Sequence, residues 1–305
     1  MKNTEITIKI SAIGSQGVGI GRVNGYVLLI DGGLPGDELL VRVVRAKKYY
    51  GYGEILRIVQ PSPYRIRGEA VCGYTNRCGG CQWLHCEYGA QLIFKKQIVI
   101  DALTRIGGIK TPLVNDTIGM ETPLQYRNKG TFPIVAAKNA DGFEIGMYEA
   151  KSHKIVPVAN CAIQHPAHAP ILAAFKQFMR CKRLLAYDET VHSGLVRSIM
   201  VRTSFATSDV MVVIAINGKQ LTHEDELVNE LSTAGATTVV IRQHTKKGDA
   251  PSDADDYRVI FGSGHIEEHV GDLKFILTAP SFFQINRQLS PVWAMPYLKI
   301  LSTTN

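Results

Sequence analysis

The first sixty residues set the strongest constraint on this chain. Ile6, Ile8 and Ile10 alternate with polar neighbours, and GYVLLI (25–30), ELLVRVVRA (38–46) and YGEILRIVQ (52–60) follow as β-rich runs. Glycine turns and a Pro-Gly-Asp turn separate them at short spacing. About five short strands joined this tightly leave no room for crossover helices, so the expected solution is a small closed β-barrel of the OB type. The glycine run GSQGVGIGR (14–22) belongs to this barrel as a β-turn. A phosphate-binding loop would have to open into a helix, and here a strand follows. Pro61-Ser62-Pro63 then marks a boundary.

Beyond it lies a cysteine-rich loop, roughly 68–88, and a helical stretch from about 89 to 107, with Leu92, Ile93, Val99, Ile100, Leu103 and Ile106 at helical spacing. Residues 124–160 read as strands and turns. A helix is expected over 170–185, with Ile171, Leu172, Phe175 and Phe178 on one face. VRSIMVRTS, DVMVVIAIN and TTVVIRQH read as strands, with a helix near 223–233 and a β pair across 257–278. PSFFQINRQ closes the readable pattern and leads into what resembles the opening of a helix. The fold class is α+β multidomain: a barrel at 1–60, a central domain at 61–279, and the start of a third domain at 280–305.

The block VCGYTNRCGGCQWLHC carries the clearest chemistry. Cys72, Cys78 and Cys81 are spaced C-x5-C-x2-C, close enough for three thiolates to reach one metal centre. The intervening glycines would let backbone N–H groups approach the sulfurs, as iron–sulfur sites require. A fourth ligand is needed; Cys161 is preferred, with Cys86 and His85 as local competitors and Cys181 on a probable helix face behind them. Zinc is the rival metal, although a zinc ribbon brings a second C-x2-C and this chain has one. Without any metal the same thiols would simply be reduced and buried.

The chain has 34 Lys and Arg against 27 Asp and Glu, a net charge of +7. That balance suits a polyanion such as RNA. Arg42, Arg45, Lys47 and Lys48 stand with Tyr49, Tyr50 and Tyr52 at a strand end, pairing cations for phosphate with rings for stacked bases. Tyr126-Arg127-Asn128-Lys129 is a second basic-aromatic group. Nothing approaches the ~18 consecutive apolar residues of a membrane span. The amino-terminal run lacks the apolar core of a secretory signal, and six cysteines are too few for a disulfide scaffold, which together point to the cytoplasm. His165 and His168 lack helical metal-ligand spacing, and no Ser-His-Asp set or carboxylate pair is readable.

These features together resemble the RNA uracil-5-methyltransferases that use S-adenosylmethionine, most closely the iron–sulfur branch that acts on 23S ribosomal RNA. The barrel with its LPGD turn (34–37) is similar to a TRAM domain, an RNA-binding module. CGGCQWLHCEYGAQLIFKKQ, YRNKGTF, EIGMYEAKSHKIVPVANCAIQ and PSFFQIN match the family's landmarks in order. The resemblance implies a 4Fe-4S cluster on Cys72, Cys78, Cys81 and Cys161, a contact from Gln284 to S-adenosyl-L-methionine, and RNA contacts from Arg45, Lys47, Lys48, Arg127 and Lys129. It implies rRNA ahead of tRNA as partner, no membrane, and a monomer when complete.

The family's reaction attacks uracil carbon 6 with a cysteine thiolate, methylates carbon 5 and removes its proton with a carboxylate. No cysteine follows Cys181 here, and no strand-glycine-helix cofactor loop follows FFQIN. The expectation is therefore a chain that stops before most of the catalytic domain and is inactive alone. The alternative is a non-catalytic RNA-binding module with a structural metal site. A radical S-adenosylmethionine enzyme is disfavoured, since that class uses C-x3-C-x2-C. In the family the helix near 89–107 packs with the catalytic domain; without that domain its apolar stripe is expected to be exposed and to favour aggregation.

Overall fold

The computed structural model describes residues 2–75, 77–248 and 255–290. Two compact units divide the chain: residues 1–76 with 81–119, and residues 77–80 with 120–305.

In the first unit, strands β1 (Glu5–Ile13), β2 (Gly19–Val23), β3 (Tyr26–Ile30), β4 (Glu38–Ala46) and β5 (Tyr50–Gln60) close into a barrel in the order β1-β2-β3-β5-β4. The alternation legible in the sequence becomes an interior of Ile8, Ile10, Leu28, Ile30, Leu39, Val41 and Val43. Closure depends on Gly21, where a Cβ would stand 2.6 Å from the Ile8 side chain. The run at 14–22 is the β1–β2 turn, closed by Gly14 N–H donating to the Val18 carbonyl at 2.8 Å, and the start of β2.

Asp37, fully buried, ties this barrel to the chain that follows. One carboxylate oxygen accepts the Leu34 N–H and the other accepts the Ser62 N–H, both at 2.7 Å. Arg65 grips the same carboxylate through Nε and Nη2 at 2.8 and 2.7 Å. Such a bidentate pair offsets the cost of burying both charges only because every carboxylate lone pair is also engaged.

The boundary expected at residue 61 differs from this division. Helix α1 (Tyr88–Arg105) packs in the barrel's own unit, because Ala90 and Phe94 bury against Ile13, Leu34 and Cys86. Trp83 adds to the seam, its indole N–H donating to the Gly17 carbonyl at 2.8 Å. The helix leaves Ile93 and Val99 exposed, with Ile106 just beyond its end.

The second unit is built on a seven-stranded sheet in the order β12-β11-β10-β9-β6-β7-β8. Its members are β6 (Lys129–Ala136), β7 (Phe143–Tyr148), β8 (Ile155–Pro157), β9 (Val196–Thr203), β10 (Val210–Ile216), β11 (Thr238–Gln243) and β12 (Asp256–Phe261). Helix α2 (His168–Cys181) precedes β9, and α3 (Glu224–Thr233) makes the crossover that lets β10 and β11 run parallel; the other pairings are antiparallel. Both helices cover one face, where Ile171, Phe175 and Phe178 meet Phe132, Ile199 and Ile214. On the other face Met200, Met211 and Val213 pack against a hairpin of β13 (His265–Val270) and β14 (Leu273–Thr278).

Two expectations shift. Helix α2 starts two residues early and ends at Cys181, and Pro170 falls in its first turn, where a proline removes no helical hydrogen bond. The β pair across 257–278 is instead three strands: β12 joins the large sheet beside β11, and only β13 and β14 form the hairpin. The helix opening expected after PSFFQINRQ lies mostly outside the described residues.

Candidate nucleic-acid and cofactor surfaces

At one end of the barrel the β4–β5 connection gathers the predicted basic and aromatic side chains. Arg45 stands opposite Tyr52 in the strand register, its guanidinium 6.0 Å from the ring centre. Lys47 Nζ lies 4.9 Å from the Tyr50 ring centre and donates to the Tyr50 hydroxyl at 2.8 Å. That hydrogen bond, with help from Tyr52, holds the Tyr50 hydroxyl below the usual phenol range. Lys48 lies 5.2 Å from the Tyr49 ring, and Tyr49 is 73% exposed. The turn is braced from inside: the Tyr26 hydroxyl donates to the Tyr50 carbonyl at 2.6 Å and accepts the Lys47 N–H at 3.2 Å. Cations held beside open aromatic faces on a rigid turn can neutralise phosphates while leaving rings free for bases.

A second surface forms in the other unit, where three separate stretches meet at Arg127. Its N–H donates to the Ile163 carbonyl at 2.9 Å and its carbonyl accepts the His165 N–H at 3.0 Å. It also bridges to Asn286. Its side-chain Nε is buried without a hydrogen-bond partner. Next along, Asn128 is 2% exposed and holds the segment containing Gln284: its N–H donates to the Ile285 carbonyl and its Nδ2 to the Gln284 carbonyl, both at 3.0 Å. Lys129 follows, opposite Arg202 on β9. Burial pushes its ammonium pKa down, and the charges of Arg202 and Arg242 push the same way. Gln284, 156 positions beyond Asn128, is thus brought to the neighbourhood of Arg127 and Lys129. The Gln284 side chain is exposed, so its amide is open to a ligand from solvent.

Behind this surface His168 is buried with both ring nitrogens unpartnered, and burial pushes its pKa down to about 3. His165 Nδ1 accepts the Ala167 N–H at 3.2 Å, and its ring meets Phe205 edge-on. Both histidines are packing residues of the α2 entry.

The four expected cysteine ligands fall in both units. Cys72 and Cys81 belong to the first unit, Cys78 and Cys161 to the second, and all four are partly exposed and in no disulfide. Cys78 bridges to Glu149, and its sulfur accepts the Gly80 N–H at 3.4 Å, the N–H···S contact the glycine spacing suggested. Cys161 opens the turn that receives Gln125 and Arg127. Among the described residues, however, no three His, Cys, Asp or Glu side chains gather to hold a metal ion. The competitors do no better: burial raises the Cys86 thiol to about 11, and His85 is pushed down to about 4 by burial and then by Arg65.

Asn128 and Arg202 escaped sequence reasoning. Asn128 sat within a motif read for its charges, and nothing local distinguishes a buried arginine in a strand from an exposed one. No described helix is long and apolar enough to cross a membrane.

The TRAM domain family matches residues 1–56. An uncharacterized RNA methyltransferase of Clostridium tetani is 36% identical over 287 residues, 93% of this chain and 61% of that protein. Another from Halalkalibacterium halodurans is 35% identical over 293 residues, 95% of this chain and 63% of that protein. Among solved structures, the Pyrococcus abyssi tRNA (uracil-54, C5)-methyltransferase in complex with S-adenosyl-L-homocysteine shares the fold, with a TM-score of 0.72 at 22% identity over 96% of this chain and 64% of its own. The chain spans less than two thirds of the length of these relatives.

Proposed function

We propose that this chain belongs to the RNA uracil-5-methyltransferase family and is the RNA-holding and cofactor-contacting part of an S-adenosylmethionine-dependent enzyme that makes 5-methyluridine. The observation that carries this reading is the likeness to RNA methyltransferases along 93% of the chain, joined to a barrel whose Arg45, Lys47 and Lys48 stand beside open tyrosine rings. S-adenosylmethionine supplies the methyl group when bound. The chain's own residues bind and orient. The barrel lysines neutralise backbone phosphates, Arg127 and Lys129 approach RNA from the sheet domain, and the Gln284 amide faces the cofactor. We place the whole enzyme in the cytoplasm as a monomer, with ribosomal RNA ahead of transfer RNA as its substrate.

These 305 residues include no cysteine after Cys181, so the nucleophile of the family reaction has no counterpart among them. The pure chain is therefore expected to bind RNA without forming 5-methyluridine. This also keeps the second reading, an RNA-binding module with no chemistry of its own. A 4Fe-4S cluster on Cys72, Cys78, Cys81 and Cys161 belongs to the proposal through spacing and resemblance. No step is assigned to it.

The test is a titration of the purified chain against ribosomal and transfer RNA fragments at several salt concentrations. Binding should weaken as salt rises. The K47A/K48A double variant should flatten the log–log slope by about 0.7 for each lost phosphate contact. Binding that ignores both salt and the two lysines would sink the reading, and 5-methyluridine made by the pure chain would sink its inactivity.

A further inference from the structure

The stretch from Thr278 to Ile285 runs off the end of β14 as a strap across the sheet domain, and two buried side chains fasten it. Arg202, 1% exposed, donates from Nη1 to the Thr278 carbonyl at 3.0 Å and from Nη2 to the Ser281 carbonyl at 2.6 Å. Thr278 and Ser281 close a turn on themselves, with the Ser281 N–H on the Thr278 carbonyl at 3.1 Å and the Thr278 N–H on the Ser281 hydroxyl at 3.0 Å. Four residues on, Asn128 takes the Gln284 and Ile285 carbonyls. Its own carbonyl accepts the Thr203 N–H at 2.7 Å, so the residue after Arg202 anchors the second clamp. Between the clamps the side chains alternate. Phe282 is 82% exposed, Phe283 is packed in the core with its ring 5.6 Å from that of Phe275, and Gln284 is exposed again.

Burying a guanidinium against carbonyls is a costly way to fill a core, and a hydrophobic side chain of similar volume often serves stability as well or better. What an apolar residue cannot do is fix two carbonyls three residues apart. Burial drags the Arg202 pKa down to about 10, a measure of that cost. A buried asparagine spending its amide on one main-chain carbonyl has the same character: it specifies a path for the backbone.

We propose that Arg202 and Asn128 are paired positioning residues that hold the 278–285 strap in the one path that presents the Phe282 ring and the Gln284 amide outward together. The proposal deepens the functional reading above and rests on it in taking the ligand to be the adenosylmethionine class of cofactor. The positioning itself rests on the hydrogen bonds alone.

The experiment compares wild-type chain with R202M, N128A and Q284A by hydrogen–deuterium exchange over peptides spanning 279–290 and by equilibrium binding of S-adenosyl-L-homocysteine. R202M and N128A should each speed exchange in that window by about three- to tenfold, the range one or two hydrogen bonds command, while exchange in β10 and β11 stays slow. They should weaken the ligand by a similar factor, whereas Q284A weakens it without changing exchange. Should R202M fail to fold, N128A carries the test. Unchanged exchange in both folded variants overturns the proposal, as does faster exchange with undiminished ligand affinity where Q284A does weaken it. If wild type fails to bind the ligand, or Q284A binds as wild type does, the cofactor reading of Gln284 falls, and exchange alone decides the positioning.

Discussion

His85 and His168 show how single buried side chains couple this fold to pH. Burial holds both imidazoles neutral, at about 4 and about 3 respectively, against an unfolded value near 6.5. Below pH 6.5 the unfolded chain binds protons that the folded chain refuses. Their stabilising contribution is therefore complete above that pH and is lost as pH falls toward 4. The slope approaches ~1.4 kcal/mol per pH unit for each histidine. Thermal unfolding followed from pH 7 to pH 4 should show falling midpoints. H168F, which removes two unpartnered nitrogens from an apolar site beside Phe132, should flatten the dependence and be at least as stable as wild type at pH 5. A wild-type midpoint that stays level from pH 6.5 to 4.5 contradicts this account. At the same scale LPGD was legible as a turn, but the Arg65 clamp on its aspartate was not, because the partner lies 28 residues on and nothing local marks it.

Helix α1 shows what an element's pattern can and cannot say. Its apolar residues are spaced for a helix, and a helix forms, yet Ala90 and Phe94 alone are fully buried. The stripe is wider than the face the barrel covers. Ile93 and Val99 remain in solvent, Ile106 follows the helix end, and Ile109, Leu113 and Ile118 extend the exposed run. Exposed apolar side chains in this number favour self-association. Dynamic light scattering should find the wild-type chain polydisperse at high concentration. I93K/V99K should be closer to monodisperse, with stability within about 0.5 kcal/mol per site, the usual range for exposed substitutions. A monodisperse wild-type monomer would refute the argument. For β12 the lesson is the reverse. Its short run suggested a partner next in sequence, but β11 offers the free edge of a larger sheet, and pairing there buries more backbone.

For the molecule as a whole, the metal is the sharpest open test. Anaerobic purification followed by iron and sulfide analysis should give about four irons per chain, the composition of one such cluster, lost in C78A and in C161A if the family ligand set applies. A colourless chain holding one zinc, or none, would overturn the cluster. The sequence by itself determined the barrel and most of the strands and helices, because alternation and helical spacing are local consequences of which faces must be buried. It also picked out the basic tyrosine-rich turn, since those residues all lie between Arg42 and Tyr52. Tertiary structure decided the rest. It assigned α1 to the barrel's unit and moved β12 into the large sheet. It also brought Arg127 to Gln284 through the buried Asn128 and Arg202. Contacts between residues more than a hundred positions apart depend on strand order and on which carbonyls are left without partners, and neither quantity exists until the sheet has closed.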